Sequence, residues 1–214
     1  MSRLTLSFDN GPTPGITEGV LDTLAERDVV TTFFIVGDDL RKPGKRKLAR
    51  RAKDGGHWIG NHTMTHSIQL GTSDDRLLPD REIEAAQREL GDLAHPDKLF
   101  RPWGAGGILN RKLFNPLAVQ HLVDGKYTCV LWNSVPRDWE SPDGWVETAL
   151  ADIAELDWTV LVLHDIDSGA MRRLGEFLDL VIGEGVDIVQ EFPDSCVPVR
   201  RGRLTGPMDH LVSR

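Results

Sequence analysis

The sequence predicts an α/β fold: a barrel of about seven parallel strands wrapped by helices, with an open parallel sheet as the alternative. Two observations point there. Short β-branched and aromatic runs alternate with longer segments of helical period. Several of the apolar runs also end in a polar, chemically capable residue. The second observation favours the barrel, because α/β barrels carry their active sites at the carboxyl ends of their strands. With 214 residues the chain suits one medium domain, spanning 1–214, with a sizeable core.

The elements follow in order. Leu4–Phe8 alternates apolar and polar residues and reads as a strand. Gly11-Pro12-Thr13-Pro14-Gly15 is a sharp loop, and a helix runs from Thr17 to about Arg27 on Val20, Leu21 and Leu24. Val29–Val36 is a nearly continuous β-branched and aromatic run, the pattern of a strand buried on both faces. Pro43–Lys53 is helical and basic, and His57–Gly60 is a short strand. Asp80–Ala94 predicts one amphipathic helix with Ile83, Ala86, Leu90 and Leu93 on its apolar side. A strand at Leu99–Phe100, a helix near Asn115–Val123 and a strand at Tyr127–Trp132 come next. They are followed by a helix at Gly144–Leu156, a buried strand at Thr159–Leu163, a helix at Met171–Ile182 and a last strand at Val186–Val189. Residues 198–214 have no clear pattern.

Composition narrows the function. The net charge is −8, which argues against a nucleic-acid partner. The basic stretch Arg41–Arg51 is most simply the solvated face of a helix. No run reaches transmembrane length and no secretory leader is visible, so the expectation is a cytoplasmic protein without a membrane partner. The two cysteines, Cys129 and Cys196, suit reduced core residues better than a disulfide framework. Oligomeric state is not encoded in any pattern here.

The candidate site starts from His62 and His66. Residues at i and i+4 share a face on a turn of helix, and two imidazoles there can grip one divalent ion. Chance or a capping role explains such a pair equally well in isolation. Other segments add to it. Asp9 follows the first strand, Arg101 follows Leu99–Phe100, Asp138 lies beyond Tyr127–Trp132, and His164 follows Thr159–Leu163. Each has a plainer explanation: a turn former, a structural ion pair, a packing corner, a satisfied core histidine. Their joint placement after successive strands favours a shared active site.

In order, Ser7-Phe8-Asp9-Asn10, His62-Thr63-Met64-Thr65-His66, Arg101-Pro102-Trp103, Arg137-Asp138-Trp139 and Leu161-Val162-Leu163-His164-Asp165 resemble the motifs of the polysaccharide deacetylases. These are the NodB-homology domains, or carbohydrate esterase family 4. The resemblance implies a distorted (β/α) barrel and hydrolysis of an amide, usually the N-acetyl group of an amino sugar. It implies a divalent metal, zinc or else cobalt, nickel or manganese. It assigns Asp9 as general base, Arg101 as its brace and His164 as general acid; Asp138-Trp139 are what survives of the fourth motif, and either Asp138 or Asp165 is the acidic neighbour that could keep His164 protonated. Asn10, His62 and His66 take the ligand positions.

Three departures stand out. The second position of the first motif is usually an aspartate ligand and is Asn10 here. Val135 stands where an aspartate usually precedes the Asp-Trp pair, and Trp103-Gly104 replaces the common Pro-Tyr. An amide oxygen can ligate a metal but carries no charge, so the metal site is weakened, or it is abandoned, or position 10 has been changed by design from a native aspartate; the two histidines at ligand spacing favour a retained metal.

The chemistry suits these residue types. Asp9 can take a proton from water, Arg101 can hold it ionised, and His164 can protonate the leaving nitrogen. Trp103 and Trp139, with Trp132, offer flat walls for a sugar ring. The expected substrate is a small N-acylated amino sugar or oligosaccharide, deacetylated or deformylated. The alternatives are a metal-independent hydrolase of cyclic imides or ureides, and a non-catalytic ligand-binding protein.

Overall fold

The computed structural model describes residues 2–213. Seven strands run parallel: β1 (Arg3–Asp9), β2 (Thr32–Ile35), β3 (Trp58–Asn61), β4 (Leu99–Phe100), β5 (Thr128–Cys129), β6 (Trp158–His164) and β7 (Asp187–Val189). Helices α1 (Thr17–Ala25), α2 (Lys45–Asp54), α3 (Ala85–Leu90), α4 (Pro116–Asp124), α5 (Trp145–Glu155) and α6 (Leu174–Gly183) connect them in the expected alternation. Among the described residues no helix is long and apolar enough to cross a membrane.

The sheet runs β6-β1-β2-β3-β4-β5, and β7 pairs with β1. β1 is its centre. One edge bonds to β6 along the whole strand. The other edge takes β2 at Ser7–Asp9 and β7 at Arg3–Thr5. Among the described residues the curl closes between the segment after β5 and β6 through an isolated bridge, Ser134 to Leu161, and not through a paired strand, so the barrel is distorted. The segment 198–214, unplaced by pattern, begins with an antiparallel hairpin, β8 (Val199–Arg200) and β9 (Arg203–Leu204), that lies on β5.

Alternation along β1 separates two environments. Leu4, Leu6 and Phe8 pack with residues of α1, α5 and α6 in one core. Ser7 and Asp9 therefore point the other way. In β6, Leu161 and Leu163 join that same core, while Val160 and Val162 join a second core with Phe34, Phe100 and Trp132. His164, two residues beyond Val162, emerges on the Val162 side, the same side as Asp9.

Four expectations need correction. The strand predicted over Val29–Val36 is only Thr32–Ile35: the Thr31 amide is taken by His57 Nδ1 at 3.1 Å, and Gly37 turns away to the Thr63 carbonyl. The helix predicted over Asp80–Ala94 is continuous to Leu90, with its first turn, Asp80–Glu84, π-helical, and it breaks at Gly91, where φ is 55° and a 3-10 turn, Gly91–Leu93, follows. The π turn is held from outside, because Asn61 Nδ2 donates to the Ile83 carbonyl at 2.8 Å. The strand over Tyr127–Trp132 is paired only at Thr128–Cys129; beyond it Leu131 bonds to the Cys196 carbonyl instead. The histidine pair is not on a helix, as described below.

The basic stretch is a surface whose charges are met by neighbours. Arg46 pairs with Glu89, and Arg50, Arg51 and Lys45 pair with Asp92, Asp22 and Asp39. Cys129 and Cys196 are free and buried.

Candidate active site

Five strand ends and their loops converge on a cavity of about 480 Å³. Asp9, Asn10, His62, His66 and His164 form its polar part; Trp103, Trp132, Trp139, Val135 and Val162 are among its apolar walls. Every residue expected at the site from sequence lies here, with Arg101 and Asp138 behind the lining.

Asp9 ends β1 and is 4% exposed. Its Oδ1 accepts from Arg101 Nη1 at 2.8 Å, and its Oδ2 lies 3.5 Å from His62 Nε2. Burial opposes the ionised carboxylate, but Arg101 and the nearby His62 and His164 outweigh it and hold Asp9 below the usual range. Arg101 is fully buried. Its Nη1 also donates to Ser7 Oγ at 2.8 Å, its Nε to the Val130 carbonyl at 3.3 Å, and its guanidinium lies 4.0 Å over the Phe34 ring. Ser7 was not singled out in the sequence; its i, i+2 relation to Asp9 on a strand was the available signal.

His164 ends β6, directly opposite Asp9 in the parallel register. Asp138 holds it twice: Oδ2 accepts the His164 amide at 2.9 Å and Oδ1 pairs with Nδ1 at 2.8 Å. Desolvation favours the neutral ring, yet the bond to Asp138 and its charge prevail and raise the His164 pKa above 6.5. With Nδ1 committed to Asp138, Nε2 is the nitrogen left for the cavity. Trp139 stands edge-on to the ring at 4.7 Å.

The loop after β3 carries His62 and His66. Thr63 and His66 have φ of 66° and 52°, so the chain makes left-handed bends and no helical turn forms. The bends still bring the rings to 4.7 Å between centroids. Local bonds hold them: Asn61 Oδ1 accepts the Thr63 amide at 2.9 Å, and Thr63 Oγ1 accepts the His66 amide at 3.1 Å. Glu82, buried on the π turn, accepts from the Thr65 amide at 3.0 Å and hydroxyl at 2.9 Å. This role of Glu82 carries no sequence signal, because it depends on a turn that breaks helical period.

The donor set fits a metal ion with one weak member. His62 Nδ1 donates to the Arg101 carbonyl at 2.9 Å, which fixes the tautomer and leaves Nε2 as a lone pair. Burial, with His62 close by, pushes His66 down to about 3, so it too is neutral. Asn10, at φ 72°, has a buried Oδ1 with no hydrogen-bond partner among the described residues. An orphaned buried acceptor is costly unless something occupies it. Among the described residues no three His, Cys, Asp or Glu side chains form a metal-ligand cluster.

The apolar wall is tightly fitted. A Cβ on Gly104 would come within 2.4 Å of the Trp132 ring. Trp132 Nε1 donates to the Gly107 carbonyl at 2.8 Å. Arg137 makes a two-pronged pair with Glu140 at 2.8 and 2.6 Å, beside Trp139 at the rim.

Comparison with known proteins gives a consistent result. Residues 2–115 match the family model for polysaccharide deacetylase. The chain is 31% identical over 166 residues to a peptidoglycan-N-acetylglucosamine deacetylase of Bacillus cereus, covering 76% of this chain and 72% of that one. It is 33% identical over 168 residues to a chitooligosaccharide deacetylase of Sinorhizobium fredii, covering 75% and 70%. The fold matches a family 4 carbohydrate esterase from Streptomyces lividans, solved in complex with acetate, with TM-score 0.73 and 24% identity over 93% of this chain and 97% of that one. It equally matches a pseudoenzyme of the same family from Bacillus anthracis, with TM-score 0.74 and 17% identity over 87% and 63%.

Proposed function

Because the chain belongs to the polysaccharide deacetylase family, as an amide hydrolase of that type, we propose that it removes the N-acetyl group from an amino-sugar oligosaccharide. The observation that carries this reading is the placement of two prepared groups side by side at the polar end of one cavity. Asp9, held ionised by Arg101, and His164, held protonated by Asp138, end neighbouring strands in register.

The residues divide the work. Asp9 takes a proton from the attacking water as the water oxygen bonds to the amide carbon. His164 gives its Nε2 proton to the nitrogen as the carbon–nitrogen bond breaks, so a free amine and a carboxylic acid leave, and the proton taken by Asp9 returns through water to His164. Trp103 and Trp139 supply flat surfaces for the sugar ring. Asn10 Oδ1, His62 Nε2 and His66 would hold a divalent ion, zinc being suited to nitrogen ligands, and such an ion would lower the water's pKa and polarise the carbonyl.

Asn10 favours a second reading, a metal-independent hydrolase of cyclic imides or ureides, and Val135 supports it by removing a further carboxylate from the cavity wall. Elemental analysis separates the two. Stoichiometric zinc, with activity lost on chelation, rules out the second. The fold alone does not decide for catalysis, since a pseudoenzyme shares it. Acetate release from chitooligosaccharides, abolished in Asp9→Asn and His164→Ala, is the expected result. Absence of turnover on N-acetylated, N-formylated and cyclic amides alike would leave only a binding role.

A further inference from the structure

Asp165, the other carboxylate that could keep His164 protonated, leaves the hydrogen bond to the ring to Asp138 and bonds to Thr17 instead, and it is fully buried. Its carboxyl lies against the loop that leaves β1. A Cβ placed on Gly11 would fall 2.0 Å from both carboxyl oxygens and 2.2 Å from Cγ. The carboxyl thus fills the space a side chain at position 11 would need, and no larger residue fits there with Asp165 in place.

The same group is tied to the loop's far end. Thr17 Oγ1 donates to Asp165 Oδ2 at 2.5 Å and accepts the Thr13 amide at 2.6 Å. Thr17 is itself fully buried and is the first residue of α1. The relay Asp165–Thr17–Thr13 therefore clips residues 10–13 between the end of β6 and the start of α1. Asn10 occupies the first position of that clipped segment, in a left-handed conformation. Asp9 immediately precedes it.

We propose that Asp165 is a positioning residue, which through Gly11 and Thr17 sets the loop that presents Asn10 and Asp9 against His62, His66 and His164. It joins the base-bearing and acid-bearing strand ends into one unit. The inference rests on the reading of Asp9, Asn10 and His164 given above.

Three readouts test it: amide hydrogen exchange at residues 10–13 in the metal-free protein, zinc affinity by competition with a chromophoric chelator, and kcat with KM on a chitooligosaccharide. Asp165→Ala and Thr17→Val are expected to speed exchange in the loop. They should also weaken zinc binding and lower kcat by about ten-fold or more with KM little changed, the scale of loss seen when outer-shell partners are removed. Asp165→Asn and Thr17→Ser keep an acceptor and a hydroxyl and are expected to stay near the wild type.

Loop exchange, zinc affinity and kcat all at wild-type values in Thr17→Val would overturn the proposal. So would a lowered Tm with those three values unchanged in folded Asp165→Ala, since that is a purely structural role. Should Asp165→Ala fail to fold, Thr17→Val and its Ser counterpart decide. A wild type without turnover contradicts the earlier reading, while the exchange measurement still judges this one.

Discussion

Asp9 and His164 lie side by side as register partners on β1 and β6, and each is gripped by a buried group of opposite charge from a different segment. Arg101 reaches Asp9 from the end of β4, and Asp138 reaches His164 from the loop after β5. The arrangement drives two neighbouring ionisable groups apart: a base kept unprotonated and an acid kept protonated over the same pH range.

The pH dependence follows from those directions. Activity needs Asp9 ionised and His164 protonated. It should rise as pH passes through an Asp9 pKa below 3.8 and fall through a His164 pKa above 6.5. Asp138→Asn removes the raising partner, so the alkaline limb of kcat/KM should move to lower pH. A profile with both limbs unmoved in that variant would contradict the assignment.

Removing either reacting group should cost on the order of 10²–10⁴-fold in kcat, the usual range for general acid–base catalysis. Asp9→Asn and His164→Ala are the variants to compare, with circular dichroism to show that the fold persists. Turnover retained in both would exclude the proposed roles.

Arg101→Met should be among the most destabilising changes in the chain. It leaves Asp9 buried without its cation, and loss of one partner of a buried pair costs about 3–5 kcal/mol. Urea unfolding at neutral pH measures this. Arg101→Lys should recover only part of it, because one ammonium cannot reach both Ser7 and Asp9 and also the Val130 carbonyl.

Asn10→Asp should tighten binding of a divalent ion by about ten-fold or more, since a charged oxygen replaces a neutral one beside two neutral imidazoles. Zinc competition and metal content after dialysis are the measurements. Equal affinity in both forms would mean that position 10 does not ligate.

His57 supplies a stability test away from the chemistry. Burial lowers its pKa from 6.5 to about 4, and its Nδ1 accepts the Thr31 amide, which requires the neutral ring. The unfolded chain therefore binds a proton below pH 6.5 that the folded chain refuses until about pH 4. Stability should fall as pH drops through that window, and His57→Gln should flatten the fall in urea titrations at matched pH.

Much of this was readable from local pattern. The Leu4–Phe8 alternation orients Asp9 away from the helices, and β6 repeats the device for His164. Where pattern misled, a long-range partner had intervened. The His62–His66 spacing suggested a helical turn, but Asn61, Thr63 and Glu82 hold that loop in left-handed bends. The apolar period of Asp80–Ala94 suggested one regular helix, but Asn61 bonds the Ile83 carbonyl of its π-helical first turn and Gly91 breaks it.

By itself, then, the sequence determined the order of strands and helices and the delivery of Asp9, His62, Arg101 and His164 to one rim, because side-chain periodicity depends only on near neighbours. The tertiary structure decided what those residues touch. Arg101 and Asp9 lie 92 positions apart, and Asp165 and Thr17 lie 148 apart. Such pairs are set by strand register and by the curl of the sheet, which place distant side chains within a hydrogen bond of each other and leave no trace in local spacing.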